Sequence, residues 1–288
     1  MLLSVIVTSY NSPETLLECL SSLVKQPAAG EIVVADCSPE LPAELQSRFP
    51  NIRLLHFPER TRVPRMRWTA LRETRGEIVA AVEARCVPSE NWCQILVDAH
   101  QKHPEAPAIG GPVSLRPDSA ISEGLYFAEY GLYAPPLTEG PAHEISGANL
   151  SYKRRFLNDS RDLLDAGHWE THLHLRWVAA GHMLWMSQAA VRFQNSMQPG
   201  TILRQRFHYG RGYGAARFTA SGPRLLHAAM TPLLPCVLTL RLARSAFAKG
   251  MGRRFLRAVG WTFLFESAWS LGEAIGYLFG ASSSDEVF

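Results

Sequence analysis

The stretch Glu31-Ile-Val-Val-Ala-Asp36-Cys-Ser38 constrains this chain more than any other. Four apolar residues lead into a carboxylate and then a hydroxyl, the pattern of a buried strand giving way to a loop. An earlier apolar run, residues 2–9, is rich in β-branched residues and ends in Thr8-Ser9-Tyr10-Asn11. A helix-length segment separates the two, as a crossover between parallel strands requires. In open α/β sheets, ligands bind outside the carboxyl ends of the strands. Thr8 and Asp36 therefore predict two walls of one crevice, suited to a base and a ribose.

The same alternation continues downstream. Asn11 or Ser12 caps a helix that has Pro13 in its first turn and buries Leu16, Leu20, Leu23 and Val24. A short strand is expected near 52–57, a basic helix over 62–74, a strand over 77–82 and a helix from Ser89. From about residue 116 the pattern loosens and turns aromatic. Three segments are expected, at 1–115, 116–220 and 221–288, the last of them helical and apolar. The apolar content of 47% and charged content of 19% supply a sizeable core and exclude global disorder. A net charge of +3 does not argue for a nucleic-acid partner. The cysteines, at 19, 37, 86, 93 and 236, form no C-x-x-C pair, so neither a disulfide scaffold nor a zinc knuckle is expected. A reduced, cytosolic setting fits them, and no signal peptide is read at the amino end.

Several motifs, in order, resemble the inverting family 2 glycosyltransferases of the GT-A fold. They are Ser4-Val-Ile-Val-Thr-Ser-Tyr-Asn11, Glu31 to Ser38, Val63-Pro-Arg-Met-Arg67 with Arg75-Gly-Glu-Ile-Val79, Ser146-Gly-Ala-Asn149, and Trp169-Glu170 followed by Leu173 and Arg176. The likeness covers roughly residues 1–215 and implies a nucleotide-sugar-binding half at 1–115 and an acceptor-binding and catalytic half at 116–220, with a membrane-associated helical region expected at 221–288. It implies an α/β fold of the GT-A type: a Rossmann-like, mostly parallel central sheet with helices on both faces, here extended by a C-terminal apolar helical segment. It implies a hexosyltransferase-like enzyme that takes a nucleotide-sugar donor, with a UDP-sugar favoured.

The resemblance assigns roles residue by residue. Asp36 would hold the nucleoside, since a carboxylate accepts a uracil imide N–H or ribose hydroxyls; Thr8 and Tyr10 would flank the base, and Arg67 would assist. The alternative for Asp36 is a loop cap. Where the family places D-x-D to hold Mg²⁺ or Mn²⁺, this chain has Glu83-Ala84-Arg85. A guanidinium repels a cation. Three readings stand: Arg85 meets the diphosphate directly, helped by Arg62, Arg65 and Arg67; the site is degenerate; or Glu83 keeps a metal with a distant ligand such as His182. Glu170 falls where the family has its catalytic base, and Trp169 replaces the acid before it; the alternative is a solvated carboxylate in a helix's first turn. Gly147 and Asn149 would face the donor or acceptor sugar. Arg206 and Arg211 would close over the diphosphate or rest on lipid headgroups. His168 and His172 share a helix face, but the glutamate between them is misplaced for a zincin, and His172 and His174 are expected at the surface or lining a pocket.

The carboxyl-terminal region changes character. Residues 225–240 carry no Asp, Glu, Lys or Arg, and Arg241, Arg244, Lys249, Arg253, Arg254 and Arg257 follow. The apolar stretch 258–280 carries Ala268, Gly272, Gly276 and Gly280 at every fourth position, a face that lets another helix approach closely. At 16 residues the first stretch is short for a membrane span. The expectation is a peripheral or re-entrant position on the cytoplasmic face of the cell membrane, with basic residues on anionic headgroups and a lipid or glycan acceptor. Loss of three family acids, to Ala35, Arg85 and Trp169, supports an alternative: a retired transferase that scaffolds glycan assembly at a membrane. A nucleotidyltransferase is disfavoured because Thr8 to Pro13 lacks a phosphate-cradling glycine.

Overall fold

The computed structural model of the chain describes residues 1–116, 118–218 and 224–280. Eleven strands are described: β1 Leu3–Ser9, β2 Glu31–Asp36, β3 Arg53–His56, β4 Ile78–Glu83, β5 Cys86–Pro88, β6 Ala108–Gly110, β7 Val113–Leu115, β8 Gly140–Ala142, β9 Asn149–Lys153, β10 Leu184–Met186 and β11 Val191–Phe193. The α-helices are α1 Pro13–Leu23, α2 Leu45–Arg48, α3 Val63–Arg72, α4 Trp92–Lys102, α5 Ala120–Tyr130, α6 Arg154–Asp159, α7 Arg161–Asp165, α8 Glu170–Ala179, α9 Pro199–Phe218, α10 Arg224–Met230, α11 Leu234–Ala248 and α12 Gly252–Phe279.

The chain divides into two compact units: Met1–Ser114 with Tyr133–Gln194, and Leu115–Leu132 with the residues from Asn195 onward. This differs from three consecutive segments, because residues 133–194 return to complete the sheet of the first unit. Residues 221–223 and 281–288 of the expected third segment lie outside the described residues.

In the first unit an eight-stranded sheet runs β3-β2-β1-β4-β9-β6-β10-β8. Strands β3, β2, β1 and β4 are mutually parallel, as are β6 and β10, while β9 and β8 run antiparallel to their neighbours. The sheet is therefore mostly parallel, as the crossover spacing predicts. All seven residues of β1 are buried, and each large apolar side chain removed from water there contributes about 2 kcal/mol. Register sets the functional edge: Ser9 lies beside Asp36 and Thr8 beside Glu83. Helix α3 packs its buried Met66, Ala70 and Leu71 into the same core as Ile6 and Val33. A second sheet, β5-β11-β7, follows the turn after β4.

In the second unit, α9 and α12 pack backbone to backbone. A Cβ at Gly272 or Gly276 would overlap the carbonyl oxygen of Phe207 or Arg211, and one at Gly210 or Gly214 would overlap that of Trp269 or Glu273. The small residues at 272 and 276 thus admit a neighbouring helix as expected, whereas Gly280 ends α12 at φ 74°. Glu266 and Glu273, which interrupt the apolar pattern, are buried and partnered: Glu266 by Arg206 at 3.1 Å, Glu273 by Tyr277 at 2.9 Å and Trp269 at 3.2 Å. Pro232 and Pro235 do not break the preceding run, because each sits in the first turn of a new helical segment, where a missing N–H costs nothing. The helical run Leu225–Ala248 therefore reaches 24 residues, and its most apolar 18-residue window has mean hydropathy 1.5 with 17% of it buried. By length and composition alone it suffices to cross a membrane, which corrects the expectation that it is too short. Three of the six basic residues that follow position 240 are engaged within this unit: Lys249 Nζ donates to the Leu132 carbonyl at 2.7 Å, and Arg254 and Arg257 clasp the fully buried Glu123 at 3.1 and 2.6 Å.

Candidate active site

The carboxyl edge of β1, β2 and β4 gathers Thr8, Tyr10, Asp36, Glu83 and Arg85. Asp36 is 1% exposed. Its Oδ1 accepts the Ser38 backbone N–H at 2.7 Å and its Oδ2 accepts the Ser38 hydroxyl at 2.9 Å. Ser38 Oγ in turn accepts the Asn11 N–H at 2.8 Å, and Asn11 adopts φ 46°, which asparagine tolerates well. Asp36 thus latches two loops together, as the loop-capping alternative has it. What stands exposed here is Tyr10, 37% accessible, with the Arg60 guanidinium 3.4 Å from its ring centroid. Sequence reading missed Arg60; a cation just ahead of the basic helix was the only signal. Thr8 Oγ1 and Ser9 Oγ are buried without partners.

At the end of β4, Arg85 Nη2 lies 3.4 Å from Glu83 Oε2, and its guanidinium sits 5.5 Å from the Phe193 ring. Among the described residues no three His, Cys, Asp or Glu side chains gather as a metal site. His182, the distant ligand considered for Glu83, has its ring edge-on to Phe156. A lone carboxylate already paired with a guanidinium does not fit a divalent ion.

The strongest constellation joins residues 103 positions apart in the chain. Arg67, on the inward face of α3, is among the largest fully buried side chains. Its Nη1 donates to Glu170 Oε2 at 3.0 Å and its Nη2 to the Gly147 carbonyl at 2.7 Å. Glu170, first residue of α8, keeps its side chain 31% exposed. A Cβ at Gly147 would lie 2.5 Å from Glu170 Oε1, so only glycine leaves room for the carboxylate. Arg67, expected to assist at the nucleotide, is instead bonded to Glu170 and Gly147 and clamps the Glu170 carboxylate. Trp169, in place of an acid, is buried and packs edge-on to Tyr152 with centroids 6.0 Å apart.

Other expected residues do other work. Asn149 is fully buried: its Nδ2 donates to the Pro112 and Ala189 carbonyls at 3.0 and 2.8 Å, and its Oδ1 accepts Trp92 Nε1 at 2.8 Å. No amide hydrogen is left for a sugar. Arg206 belongs to the second unit, where it is buried against Glu266 and 4.7 Å from the Trp269 ring centroid. Arg211 donates to the Gly280 carbonyl at 3.1 Å. His174 is a core residue bonded to the Tyr152 hydroxyl at 3.1 Å, and burial pushes its pKa down to about 3. His168 and His172 stack with centroids 4.0 Å apart, and burial with the neighbouring ring lowers the His172 pKa.

The family model described as Glycosyl transferase family 2 matches residues 4–159. Among solved structures, the chain is similar to the mannosyltransferase PcManGT from Pyrobaculum calidifontis, in complex with GDP-Man and Mn2+. That match has 19% identity over 98% of this chain and 88% of that chain, with a TM-score of 0.57. It is also similar to residues 1–349 of TarS from S. aureus, at 15% identity over 93% of this chain and 91% of that chain, with a TM-score of 0.50. No curated protein sequence matches it. At these identities the solved structures speak to fold alone.

Proposed function

Because the chain belongs to glycosyl transferase family 2, we propose that it moves a hexose from a nucleotide-sugar donor to a lipid-linked or polysaccharide hydroxyl, with inversion. The observation that carries this reading is the half-exposed Glu170 carboxylate, held from behind by a buried arginine at 3.0 Å and given room by Gly147. In a single displacement the acceptor oxygen forms a bond to the anomeric carbon as its proton passes to Glu170. The bond to the diphosphate breaks, and the nucleoside diphosphate leaves with the electron pair. Charge then builds on the leaving oxygens, and preorganised cations lower its energy. Arg85, just past the end of β4, takes this part. Tyr10, with Arg60 stacked on it, offers the base a shelf, and the unpartnered Thr8 hydroxyl offers it a polar contact.

PcManGT carries Mn2+ with its donor; here Arg85 stands in for that charge, and no step runs through a metal. The Asp36 carboxylate, which would accept a uracil imide, already accepts two bonds from Ser38, so UDP and GDP donors are both offered in the test. Purified protein with UDP- and GDP-sugars is expected to release nucleoside diphosphate at a rate unmoved by chelator. Arg85→Ala should lower that rate about 100-fold. Turnover abolished by chelator, or unchanged in Arg85→Ala, defeats the Arg85 assignment. The pairing of Arg85 with Glu83 also favours a second reading, a scaffold that binds nucleotide without turnover. Saturable UDP or GDP binding with no product from any donor would establish it.

We place the chain at the cytoplasmic face of a membrane. Most of the large apolar side chains that stay exposed lie in the second unit, among them Leu233, Val237, Leu240 and Phe247 along α11, with Arg241 and Arg244 exposed beside them. Apolar area beside cations suits an anionic bilayer surface. Cosedimentation with vesicles containing phosphatidylglycerol, weakened in Arg241→Glu/Arg244→Glu, is the expected result. Equal recovery in the supernatant with and without vesicles would remove the membrane.

A further inference from the structure

A cavity of about 610 Å³ opens at the end of the first unit's sheet where β1 and β4 begin and β9 finishes. This is the edge opposite Thr8 and Glu83. Its walls carry Arg75, Lys153, Arg154 and Arg155 against a single acid, Glu77.

The way these cations are held is distinctive. Elsewhere in this unit the arginines pair with carboxylates: Arg53 with Glu73, Arg176 with Asp162, Arg192 with Glu18. At the cavity the hydrogen-bond acceptors of Lys153, Arg154 and Arg155 are neutral. Lys153 Nζ donates to the His103 and Ala106 carbonyls at 2.6 and 3.2 Å. Arg154 donates to the Gly76 carbonyl at 2.5 Å and the Thr74 hydroxyl at 2.7 Å, and Arg155 to the Pro104 carbonyl at 2.6 Å. Carbonyls orient a cation without neutralising it, and the two carboxylates that act on these cations, Glu31 on Arg154 and Glu105 on Lys153, are not their hydrogen-bond partners. Lys153 is also buried, and a buried charge is costly unless it is paired.

One acceptor in the same wall also lacks a donor. Ser151 gives its hydroxyl proton to the Ile109 carbonyl, so its oxygen accepts from His100 Nε2 at 2.9 Å. That leaves His100 Nδ1 as a bare, unpartnered lone pair in a fully buried ring.

The geometry points to a phosphate-ester binding site in this cavity, separate from the donor site, in which the arginines and Lys153 take the phosphate. Arginine forks match phosphate oxygens, and a hydroxyl on the ester would suit the His100 acceptor. A soluble sugar or polyol phosphate and a phospholipid headgroup present the same chemistry.

The test is a calorimetric titration of the full chain with glycerol 1-phosphate, beside flotation with phosphatidylcholine vesicles carrying phosphatidic acid. Arg75 and Arg155 are exposed, so Arg75→Glu/Arg155→Glu should fold. Arg85→Ala serves as the control for the donor site. Saturable glycerol 1-phosphate binding kept by Arg85→Ala and weakened at least tenfold by the double variant supports a soluble ligand. Binding only to the vesicles, reduced by the double variant and kept by Arg85→Ala, supports a headgroup. Loss in Arg85→Ala with retention in the double variant would assign the phosphate to the donor edge and overturn the proposal. So would indifference to both variants, or no binding in either format. Failure here leaves the glycosyl-transfer reading intact, since nucleoside diphosphate release is measured separately.

Discussion

Glu170, Arg67 and Gly147 act as one device, and each can be broken in a different way. Gly147→Ala puts a methyl group against Glu170 Oε1 and should turn the carboxylate away. Sugar transfer is then expected to fall at least tenfold, while the thermal midpoint changes little and nucleotide affinity stays. Loss of nucleotide binding in this variant would move Gly147 to the donor site. Arg67→Ala is a stability lesion: it leaves the Gly147 carbonyl and Glu170 without their buried partner, at a cost of about 3–5 kcal/mol. Denaturant titration checks this, and a cost under about 1 kcal/mol would contradict the clamp. At this scale the sequence carried Glu170, Arg85 and Gly147 to one edge of the sheet, because strand ends and helix starts are locally encoded. It did not carry the partners. Nothing local couples position 67 to position 170, and an aspartate after a strand looks the same whether it grips a ligand or, like Asp36, latches onto Ser38 two residues on.

Among the elements, α9 and α12 show how glycine can be required at one position and idle at another on the same helix. Gly272 meets the Phe207 carbonyl, whereas Gly260 has open space around its missing Cβ. Gly272→Ala should force the pair apart and cost about 1–3 kcal/mol. Gly260→Ala should gain up to about 1 kcal/mol from helix propensity. Parallel chemical denaturation of the two variants decides it, and equal effects would mean that α9 and α12 do not meet at Gly272. The close-approach face was legible from its four-residue spacing. The length of the preceding helical run was not, because Pro232 and Pro235 look like breaks until their place in a first turn is seen. Long central strands such as β1 announced themselves as unbroken apolar runs. The three-residue strands β6, β8 and β10 exist only because neighbours pair with them, and no local pattern marks them.

For the whole molecule, buried titratable groups of the first unit set where the fold is most stable. Burial pushes His100 and His174 down to about 3, from an ordinary 6.5, so both stay neutral in the native state. Below about pH 6.5 the unfolded chain takes up protons that the folded chain refuses, so stability falls with acidification at about 1.4 kcal/mol per pH unit per group. Lys153 works in the same direction at higher pH. Burial and then Arg155 depress it to about 8 from 10.5, so stability rises through that interval. The thiols oppose this. Burial raises Cys93 to about 12 and Cys19 beyond it, from 9.0, so above about pH 9 the unfolded chain loses protons that the native chain keeps, and stability declines. These opposing slopes put the maximum on the alkaline side of neutral, near pH 8–9. Urea titrations across pH 5 to 10 should show it. His174→Phe should lower stability above about pH 6.5, by stranding the Tyr152 hydroxyl, and should flatten the acid limb by about one group's worth, so that its deficit shrinks as the pH falls. An acid limb of unchanged slope in that variant would mean that His174 titrates alike in the folded and unfolded chain.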